Sequence, residues 1–522
     1  MNGSGTRATI KNFIITVAYQ VLAMAVGFLI PRLILETYGV QLHGLTSTIT
    51  SIMAYVVLLN AGLGSASIQS LYQPLAKKDP QEINAVLNAI GQLYRQTGLV
   101  YAGAILVISV LLPFVIGNQI SNTTVFALML TMGMTNTLEC FVYSKYMTLL
   151  QSDQKLFVIT IGNIIALLIR GTVQYVLLAH HVSIVIVQAV TIVTVFVRMA
   201  FVARHIRRNY PYLDSRIAPN KKALAKRWSV FAHQISGLVL NNTDIVLLTI
   251  FGNLVLVSIY TVYQLVFMNL HNIIAMVFSQ SSVASFGRLL LTEKKKDVTR
   301  IYGMYELLYY ITISVVYSVC AVMILPFVDL YTEGITGIAY LDARVAILFV
   351  AIGLANSLRV PGGTLIEAAG HFKETRWRAI LEAAINLAVS LVLVQFLGIA
   401  GVLLGTIASF AYRTTDIIFY SNSVILKQPA GRTFLRAAGV FAVVILNVAI
   451  FTAIRLDAGT WSAWALSAAL AGCGSLVTAA AAAFLFERSC MIDILRMIRS
   501  LLQGGTGSIR GRLREGDTTD AR

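Results

Sequence analysis

The chain has 522 residues, of which 57% are apolar and only 12% are charged, and its mean hydropathy is +0.77. Soluble domains hold about 45–50% apolar and about 25% charged residues, and a single core stops growing near about 250–300 residues. The composition therefore excludes a soluble enzyme, a nucleic-acid-binding protein and a disordered chain, and the net charge of +17 is typical of basic cytoplasmic loops in a membrane protein.

The apolar segments predict an all-α polytopic membrane protein. They last ~20 residues or more wherever charges are sparse, which is enough to cross ~30 Å of hydrocarbon as a helix. Windows bounded by charges or turn residues give about fourteen transmembrane helices. Their approximate spans are 12–35, 45–69, 92–117, 122–146, 156–178, 183–203, 228–252, 255–282, 302–328, 342–369, 379–397, 400–424, 434–455 and 461–486.

The charges of the loops support an even number of spans. With the N-terminus inside, the cytoplasmic segments hold 31 of the 40 basic residues, whereas the facing loops hold essentially Arg455 alone. One missed helix would invert every later loop and spoil this alternation. Both termini are therefore predicted to be cytoplasmic.

Little in the sequence indicates catalysis. The longest external loop runs roughly from Asp329 to Leu341, whereas a membrane-embedded glycan polymerase or glycosyltransferase needs a sizeable outer domain. No GxxxxGK[ST] phosphate-binding pattern occurs, and the four cysteines are scattered singly. We predict no catalytic residue, no metal site, no cofactor and no nucleic-acid partner.

Faint self-similarity between helices 5–6 and 11–12 suggests two six-helix lobes. Asn163 in helix 5 corresponds to Asn386 in helix 11, and Arg198 in helix 6 corresponds to Arg413 in helix 12. Such halves share topology about an axis along the membrane normal. The predicted parts are an N-terminal lobe (1–203), a basic cytoplasmic linker (204–227), a C-terminal lobe (228–424), two extra helices (425–486) and a flexible basic cytoplasmic tail (487–522).

Four arginines lie deep in the predicted spans, namely Arg32, Arg170, Arg359 and Arg413. A buried arginine costs at least about 2.5–3.5 kcal/mol on insertion scales, so it faces protein or water instead of lipid. These residues predict a hydrated cationic cavity between helices. Its ligand is expected to be an anion, and guanidinium groups suit phosphate because they donate two parallel hydrogen bonds.

Acids at comparable depth are fewer, so the predicted cavity stays net positive. Glu139, Asp244 and Asp416 are expected to pair with the arginines or to titrate with a coupling ion. Asp416 follows Arg413 by three residues on the same helical face, and an internal ion pair is the simplest interpretation of these two.

Prolines mark two candidate hinges. Pro361, Gly362 and Gly363 directly follow Arg359, and proline removes a helical hydrogen bond while glycine weakens the helix. This segment is predicted to break predicted helix 10, either as a gating hinge or as a packing kink without a role in transport. Pro31 is a similar candidate in predicted helix 1.

Several segments together resemble the polysaccharide transporters, a family of lipid-linked oligosaccharide flippases in the multidrug/oligosaccharidyl-lipid/polysaccharide exporter (MOP) superfamily. They are LIPRLILETYGVQLHGLTSTITSIMAYVVLLNAGLGSASIQSLYQPLAKKD (29–79), KYMTLLQSDQKLFV (145–158), NNTDIVLLTIFGNLVLVSIYTVYQLV (241–266) and EAAGHFKETRWRAILEAAINLAVSLVLVQFLGIAGVLLGT (367–406). In that family an arginine after a proline in helix 1 faces the cavity, and Arg32 after Pro31 matches it.

The resemblance implies a flippase in the bacterial plasma (inner) membrane. Its expected substrate is an undecaprenyl-pyrophosphate oligosaccharide that passes from the inner to the outer leaflet by alternating access, for capsule or exopolysaccharide assembly. The lipid bilayer, a polysaccharide polymerase and assembly proteins are its further expected partners. The alternatives are a cation-coupled multidrug exporter of the same superfamily and, from another class, a membrane-embedded glycan polymerase or glycosyltransferase.

Overall fold

The structure is a computed structural model that describes residues 3–58, 63–220, 231–278 and 280–502. Within these residues the chain is 88% helical and contains no strand. The predicted all-α polytopic fold class is therefore confirmed.

The described helices follow one another closely along the chain. They are α1 Gly3–Tyr38, α2 Val40–Val57, α3 Leu63–Lys77, α4 Pro80–Ile116, α5 Asn122–Val142, α6 Ser144–Ser152, α7 Leu156–Ala179, α8 Ile184–Asn209, α9 Phe231–Phe251 and α10 Leu254–Phe278. They continue with α11 Gln280–Thr292, α12 Lys295–Tyr331, α13 Ala343–Leu358, α14 Val360–Ala368, α15 Phe372–Leu397, α16 Ile399–Tyr420, α17 Gly431–Ile454, α18 Trp461–Phe486 and α19 Arg488–Leu502, and a π-helical turn at Ser421–Leu426 extends α16.

Twelve helices in the described part of the chain are long and apolar enough to cross a membrane. Two of the fourteen predicted spans are not among them. The span at 45–69 falls on α2 and α3, with residues 59–62 between them outside the described ranges. The span at 228–252 begins outside those ranges and continues in α9, whose apolar described part is Asn242–Phe251.

Packing divides the chain into two compact units. Unit 1 comprises Met1–Asn269, Val328–Ile352 and Lys373–Arg413, and unit 2 comprises Leu270–Phe327, Gly353–Phe372 and Thr414–Arg522. The two six-helix lobes remain predictions, and the predicted linker residues 221–227 lie outside the described ranges.

The predicted tail at 487–522 differs in its first part from a flexible segment. Residues 488–502 form α19, because apolar side chains alternate with basic ones at helical spacing and one face is buried. The remaining tail residues, 503–522, lie outside the described ranges.

Local sequence signals account for the helix ends that shape unit 1. Asp79 caps α4, because its carboxylate accepts hydrogen bonds from the backbone N–H groups of Gln81 and Glu82 and Pro80 occupies the first helical position. Gly39 separates α1 from α2 with a φ of 83°, a conformation that a side chain disfavours. The chain can therefore reverse sharply between these two helices.

The cores are apolar and the outer faces of the helices are apolar as well. Leu45, Ile49 and Leu128 are completely buried in the main cluster of unit 1. In contrast, Phe114 and Phe396 are each 78% exposed. Such exposed aromatic side chains on long apolar helices are typical of a surface solvated by lipid.

The first part of the predicted linker packs on α4. The Asn84 amide donates to the carbonyl oxygen of Tyr212 at 2.9 Å, and the Asn88 amide donates to the carbonyl oxygens of Asp214 at 3.0 Å and Ile217 at 2.8 Å. Two amide side chains therefore hold residues 212–217 against the end of this helix.

Candidate functional site

Three of the four predicted cavity arginines belong to unit 1. Arg32 lies half-buried on α1 and Arg170 half-buried on α7, a helix that packs against α1, while Arg413 is buried on α16. Arg359 belongs to unit 2. The Nε atom of Arg170 is buried and has no hydrogen-bond partner within the described residues.

Arg413 forms an ion pair that the sequence analysis did not name. Its Nε atom lies 3.4 Å from Glu382 Oε2, and the two side chains are only 10% and 4% exposed. Asp416 lies half-buried one turn further along α16, and its pairing with Arg413 remains a prediction. Glu382 lies on α15, so the pair also ties α15 to α16.

Asp244 occupies the most buried polar cluster of unit 1. Its Oδ2 atom accepts hydrogen bonds from the hydroxyls of Tyr260 and Thr406, each at 2.9 Å. Asn386, one turn after Glu382 on α15, donates to Thr406 Oγ1 at 3.0 Å. Asp244 is 1% exposed and Asn386 is fully buried. We call these four residues, Asp244, Tyr260, Asn386 and Thr406, the Asp244 cluster.

Two acceptor oxygens of the Asp244 cluster are left over. Asp244 Oδ1 and Asn386 Oδ1 are buried and have no hydrogen-bond partner within the described residues. Buried polar atoms are nearly always paired, so such atoms call for an explanation. Hard cations prefer carboxylate and amide oxygens. A single carboxylate suits a proton or a monovalent cation, and the described residues contain no group of three or more His, Cys, Asp or Glu for a metal ion.

Glu139 pairs with an arginine outside the predicted set. Its carboxylate accepts a hydrogen bond from Arg198, which lies on α8 and whose guanidinium also stands 5.4 Å from the centre of the Tyr143 ring. The pair links α5 to α8. The sequence analysis named Arg198 as the counterpart of Arg413 and not as the partner of Glu139.

A seam of polar contacts joins α2 to α9 and α10. The Tyr55 hydroxyl lies 2.6 Å from Thr243 Oγ1, next to Asp244 in the chain, and Thr48 Oγ1 lies 2.8 Å from Thr249 Oγ1. These pairs give polar side chains of α2 a partner inside the protein. We call this contact the α2 seam.

Near Gly39 the α2 seam is closed by very close packing. His43 Nδ1 lies 2.7 Å from Ser258 Oγ, which in turn lies 3.0 Å from the Tyr340 hydroxyl. A methyl group at Gly44 would meet the Leu254 carbonyl oxygen at 2.0 Å, so only glycine permits this approach.

Arg359 alone separates α13 from α14, and the hinge expected there remains a prediction. Helix α13 ends at Leu358 and α14 starts at Val360, with Pro361 in its first turn. The Tyr310 hydroxyl donates to the Leu358 carbonyl oxygen at 3.0 Å and so satisfies a group at the break. In contrast, α1 runs without interruption through Pro31.

The two glycines after Pro361 have different surroundings. A methyl group at Gly362 would meet Ile417 Cγ2 at 2.7 Å and Ser421 Oγ at 2.9 Å, whereas one at Gly363 would meet nothing within 4 Å. Gly362 is therefore required for close packing against α16 and its π-helical turn. Gly363 is free to act through backbone flexibility alone.

Unit 2 contains a charged cluster of its own, which holds α17, α18 and α19 to α12. Arg436 donates to Glu306 at 2.8 Å and to Glu487 at 3.0 Å, and Thr433 donates to Glu306 at 3.1 Å. Arg432 also donates to Glu487. The side chains of Arg436 and Glu306 are 5% and 2% exposed. We call these five residues the Arg436 network.

Electrostatics in the Arg436 network favour the charged form of Glu487. Burial alone raises the pKa of Glu487, but hydrogen bonds from Arg432 and Arg436 outweigh it and hold this pKa at about 2. Glu487 lies between α18 and α19, so the charge sits at a helix junction.

Sequence reasoning missed the acids that complete these clusters. Glu382 and Glu306 lie near the ends of predicted spans and were not counted among the deep acids. The spacing of four residues between Glu382 and Asn386 was the available signal, since it puts both on one helical face. Arg432 and Arg436 flank the start of the predicted span 434–455 and were counted among the 31 cytoplasmic basic residues, and no local pattern distinguishes them from solvated charges.

The fold is similar to those of several solved membrane transporters. The lipid II flippase MurJ in an inward closed conformation matches with a TM-score of 0.63 at 13% identity, over 92% of this chain and 99% of that chain. An inward-facing multidrug resistance MATE family transporter matches with a TM-score of 0.62 at 12% identity, over 80% and 99%.

A third structure, a MOP superfamily transporter from Pyrococcus furiosus described as having a binding pocket of reverse polarity, matches with a TM-score of 0.55 at 12% identity, over 80% of this chain and 96% of that chain. At such identities the likeness establishes the fold, and these neighbours are transporters. No family model and no curated protein matches the sequence.

Proposed function

We propose that the chain is a flippase that moves undecaprenyl-pyrophosphate oligosaccharides from the inner to the outer leaflet of the bacterial plasma membrane. Both termini face the cytoplasm in this proposal, and the chain changes no covalent bond of its cargo. The transported lipid supplies precursors for capsule or exopolysaccharide, and a polysaccharide polymerase uses them on the outer side.

The observation that carries the proposal is the extent of the structural likeness. The flippase structure covers 92% of this chain, whereas the multidrug transporter covers 80%. The difference is about as long as the segment from α17 to α18, Gly431–Phe486. The flippase structure therefore matches more of this chain than the multidrug transporter does.

The charges of the buried arginines support an anionic cargo. Arg32 and Arg170 lie on the long apolar helices α1 and α7, and Arg359 lies between α13 and α14 within an apolar span. A guanidinium in such a segment is costly unless it faces protein, water or an anion. We assign the pyrophosphate to these arginines and to Arg413. The Asp244 cluster supplies the coupling step, in which a proton or a monovalent cation binds the spare carboxylate oxygen.

The α2 seam supplies the outer gate in this proposal. Its closed end at Gly44 lies on the side that the loop charges assign to the exterior. Hydroxyl pairs suit a gate, because water can replace each partner when the helices part and little hydrogen-bond energy is lost.

A cation-coupled multidrug exporter is the second candidate, and the Asp244 cluster is the observation that favours it. A buried acid with a spare oxygen can bind a proton or a small cation in either kind of transporter. The two candidates differ in cargo charge. A cationic drug is repelled by the same arginines that attract a pyrophosphate.

The deciding experiment is a mass-spectrometric profile of polyprenyl-phosphate lipids after depletion of the protein in its host. Accumulation of one undecaprenyl-pyrophosphate oligosaccharide, with loss of one surface polymer, supports the flippase. An unchanged profile together with sensitivity to toxic organic cations supports the drug exporter instead.

Complementation with variants then tests the arginines. Arg359→Ala is expected to restore neither export nor the lipid profile at normal protein abundance. Arg344→Ala is a matched control, since Arg344 lies on the same predicted span with its side chain 86% exposed. Arg413 is better tested as the double variant R413Q/E382Q, because Arg413→Ala alone leaves Glu382 buried without its partner.

A further inference from the structure

The last described helix, α19, is basic and amphipathic and starts at the end of a membrane-spanning helix. Only Glu487 separates it from α18, the apolar helix Trp461–Phe486. Leu485 and Phe486 at the end of α18 are 79% and 82% exposed. Side chains this apolar and this exposed belong in hydrocarbon, so α19 begins at the surface of the bilayer.

One face of α19 is fixed to the protein. Cys490 and Ile494 are buried in a cluster with Leu307 of α12 and Ala483 of α18. Asp493 accepts a bidentate hydrogen bond from Arg300 of α12, at 2.8 and 2.9 Å. These contacts set the rotation of α19 about its axis, so the direction of its other side chains is not arbitrary.

The opposite side of α19 combines apolar and positively charged groups. Leu495 and Ile498 are 48% and 41% exposed. Arg488 lies seven residues before Leu495 and Arg499 four residues after it, so these side chains share one side of the helix. Arg496 is exposed as well. Within residues 280–502, no carboxylate forms an ion pair with any of these three arginines.

We propose that α19 is an interfacial helix that selects anionic phospholipids in the leaflet on its side of the membrane. Leu495 and Ile498 enter the acyl boundary, and Arg488, Arg496 and Arg499 bind headgroup phosphates. The match is one of chemistry, since an apolar edge flanked by arginines fits a surface that is hydrocarbon below and negatively charged above. This function is independent of which cargo the transporter carries.

Native mass spectrometry of the full chain, released from nanodiscs with equal parts phosphatidylglycerol and phosphatidylcholine, tests the proposal. The triple variant R488Q/R496Q/R499Q is expected to retain less phosphatidylglycerol, with a loss of preference on the order of fivefold for each arginine removed. The control R204Q/R207Q/R208Q removes three exposed charges from the end of α8 and is expected to keep the wild-type preference.

Equal retention by both variants and the wild type overturns the proposal. Equal losses in both variants overturn it as well, because they show an effect of net charge alone. Inorganic polyphosphate is also added to nanodiscs that contain the wild type. If it displaces the bound phosphatidylglycerol, the true ligand is a soluble polyanion and the proposal is overturned.

A depth measurement keeps the proposal testable if the triple variant folds poorly. The variant Leu495→Trp places an indole at this position, and its fluorescence is obtained by subtracting that of the parent chain. This fluorescence is expected to be quenched by phosphatidylglycerol that carries bromine on its acyl chains. Fluorescence that is unchanged by brominated lipid, but quenched by aqueous iodide, places Leu495 in water and contradicts an interfacial helix.

Discussion

The Asp244 cluster and the Arg436 network handle buried charge in opposite ways. In the first, a carboxylate is held only by neutral hydroxyls of Tyr260 and Thr406 and keeps one oxygen unpaired within the described residues. In the second, two arginines and two glutamates satisfy one another. A fully paired network fixes helices in place, whereas an acid short of a partner is ready to bind a proton or a cation.

The largest expected effect is loss of stability when the Arg436 network is broken. Arg436→Ala leaves the buried Glu306 without its charged partner, whereas Glu487 keeps Arg432. Removing one member of a buried pair costs about 3–5 kcal/mol. Thermal unfolding of the purified protein in detergent measures this. Arg344→Ala breaks an exposed pair with Asp342 and is expected to unfold like the wild type. Equal losses in both variants would contradict a special role for the network.

The second prediction concerns the Asp244 cluster. Asp244→Asn is expected to abolish transport without loss of stability, because a neutral amide removes the cost of a buried charge while keeping the shape. Thr406→Val is the comparison, since it leaves the carboxylate and removes the hydrogen bonds of the Thr406 hydroxyl with Asp244 and Asn386, at a cost of about 1 kcal/mol each. Transport in proteoliposomes and thermal unfolding separate the two effects. Wild-type transport by Asp244→Asn would show that the cluster is purely structural.

The third prediction separates packing from flexibility at the helix break. Gly362→Ala forces a methyl group against Ile417 and Ser421 and is expected to cost about 1–3 kcal/mol. Gly363→Ala has open space and is expected to stabilise the protein slightly, by up to about 1 kcal/mol, while slowing transport. Unchanged transport by a stable Gly363→Ala protein would make the break a packing kink instead of a hinge.

The smallest expected effect is a pH dependence that comes from Glu487. Its pKa is lowered from an ordinary value of 4.5 to about 2, so its stabilising contribution is complete above pH 4.5 and is lost as the pH falls towards 2. Unfolding of the wild type and of Glu487→Gln, followed across this window, measures the difference. The stability difference between the two proteins should shrink as the pH falls, and a constant difference would show that Glu487 does not titrate there.

The sequence predicts the helices well because apolar run length alone reveals a span. It also leads to the prediction of a hinge next to Arg359, since proline and glycine act locally. It does not predict the partners of buried charges. Glu382 and Arg198 are paired with residues 31 and 59 positions away, across helices whose contacts only the fold determines. The Asp416 pairing was chosen because it was local, which is the kind of partner that a sequence shows most readily.

The four cysteines have a practical consequence. Cys140, Cys320 and Cys490 are buried, and Cys473 is exposed on the apolar helix α18. A thiol in hydrocarbon is out of reach of water-soluble maleimides, which react with the thiolate in water. The native chain is therefore expected to react very little with such reagents. A single cysteine introduced along the α2 seam would then be labelled only when water enters the seam. The rate of labelling would therefore report how often the seam opens.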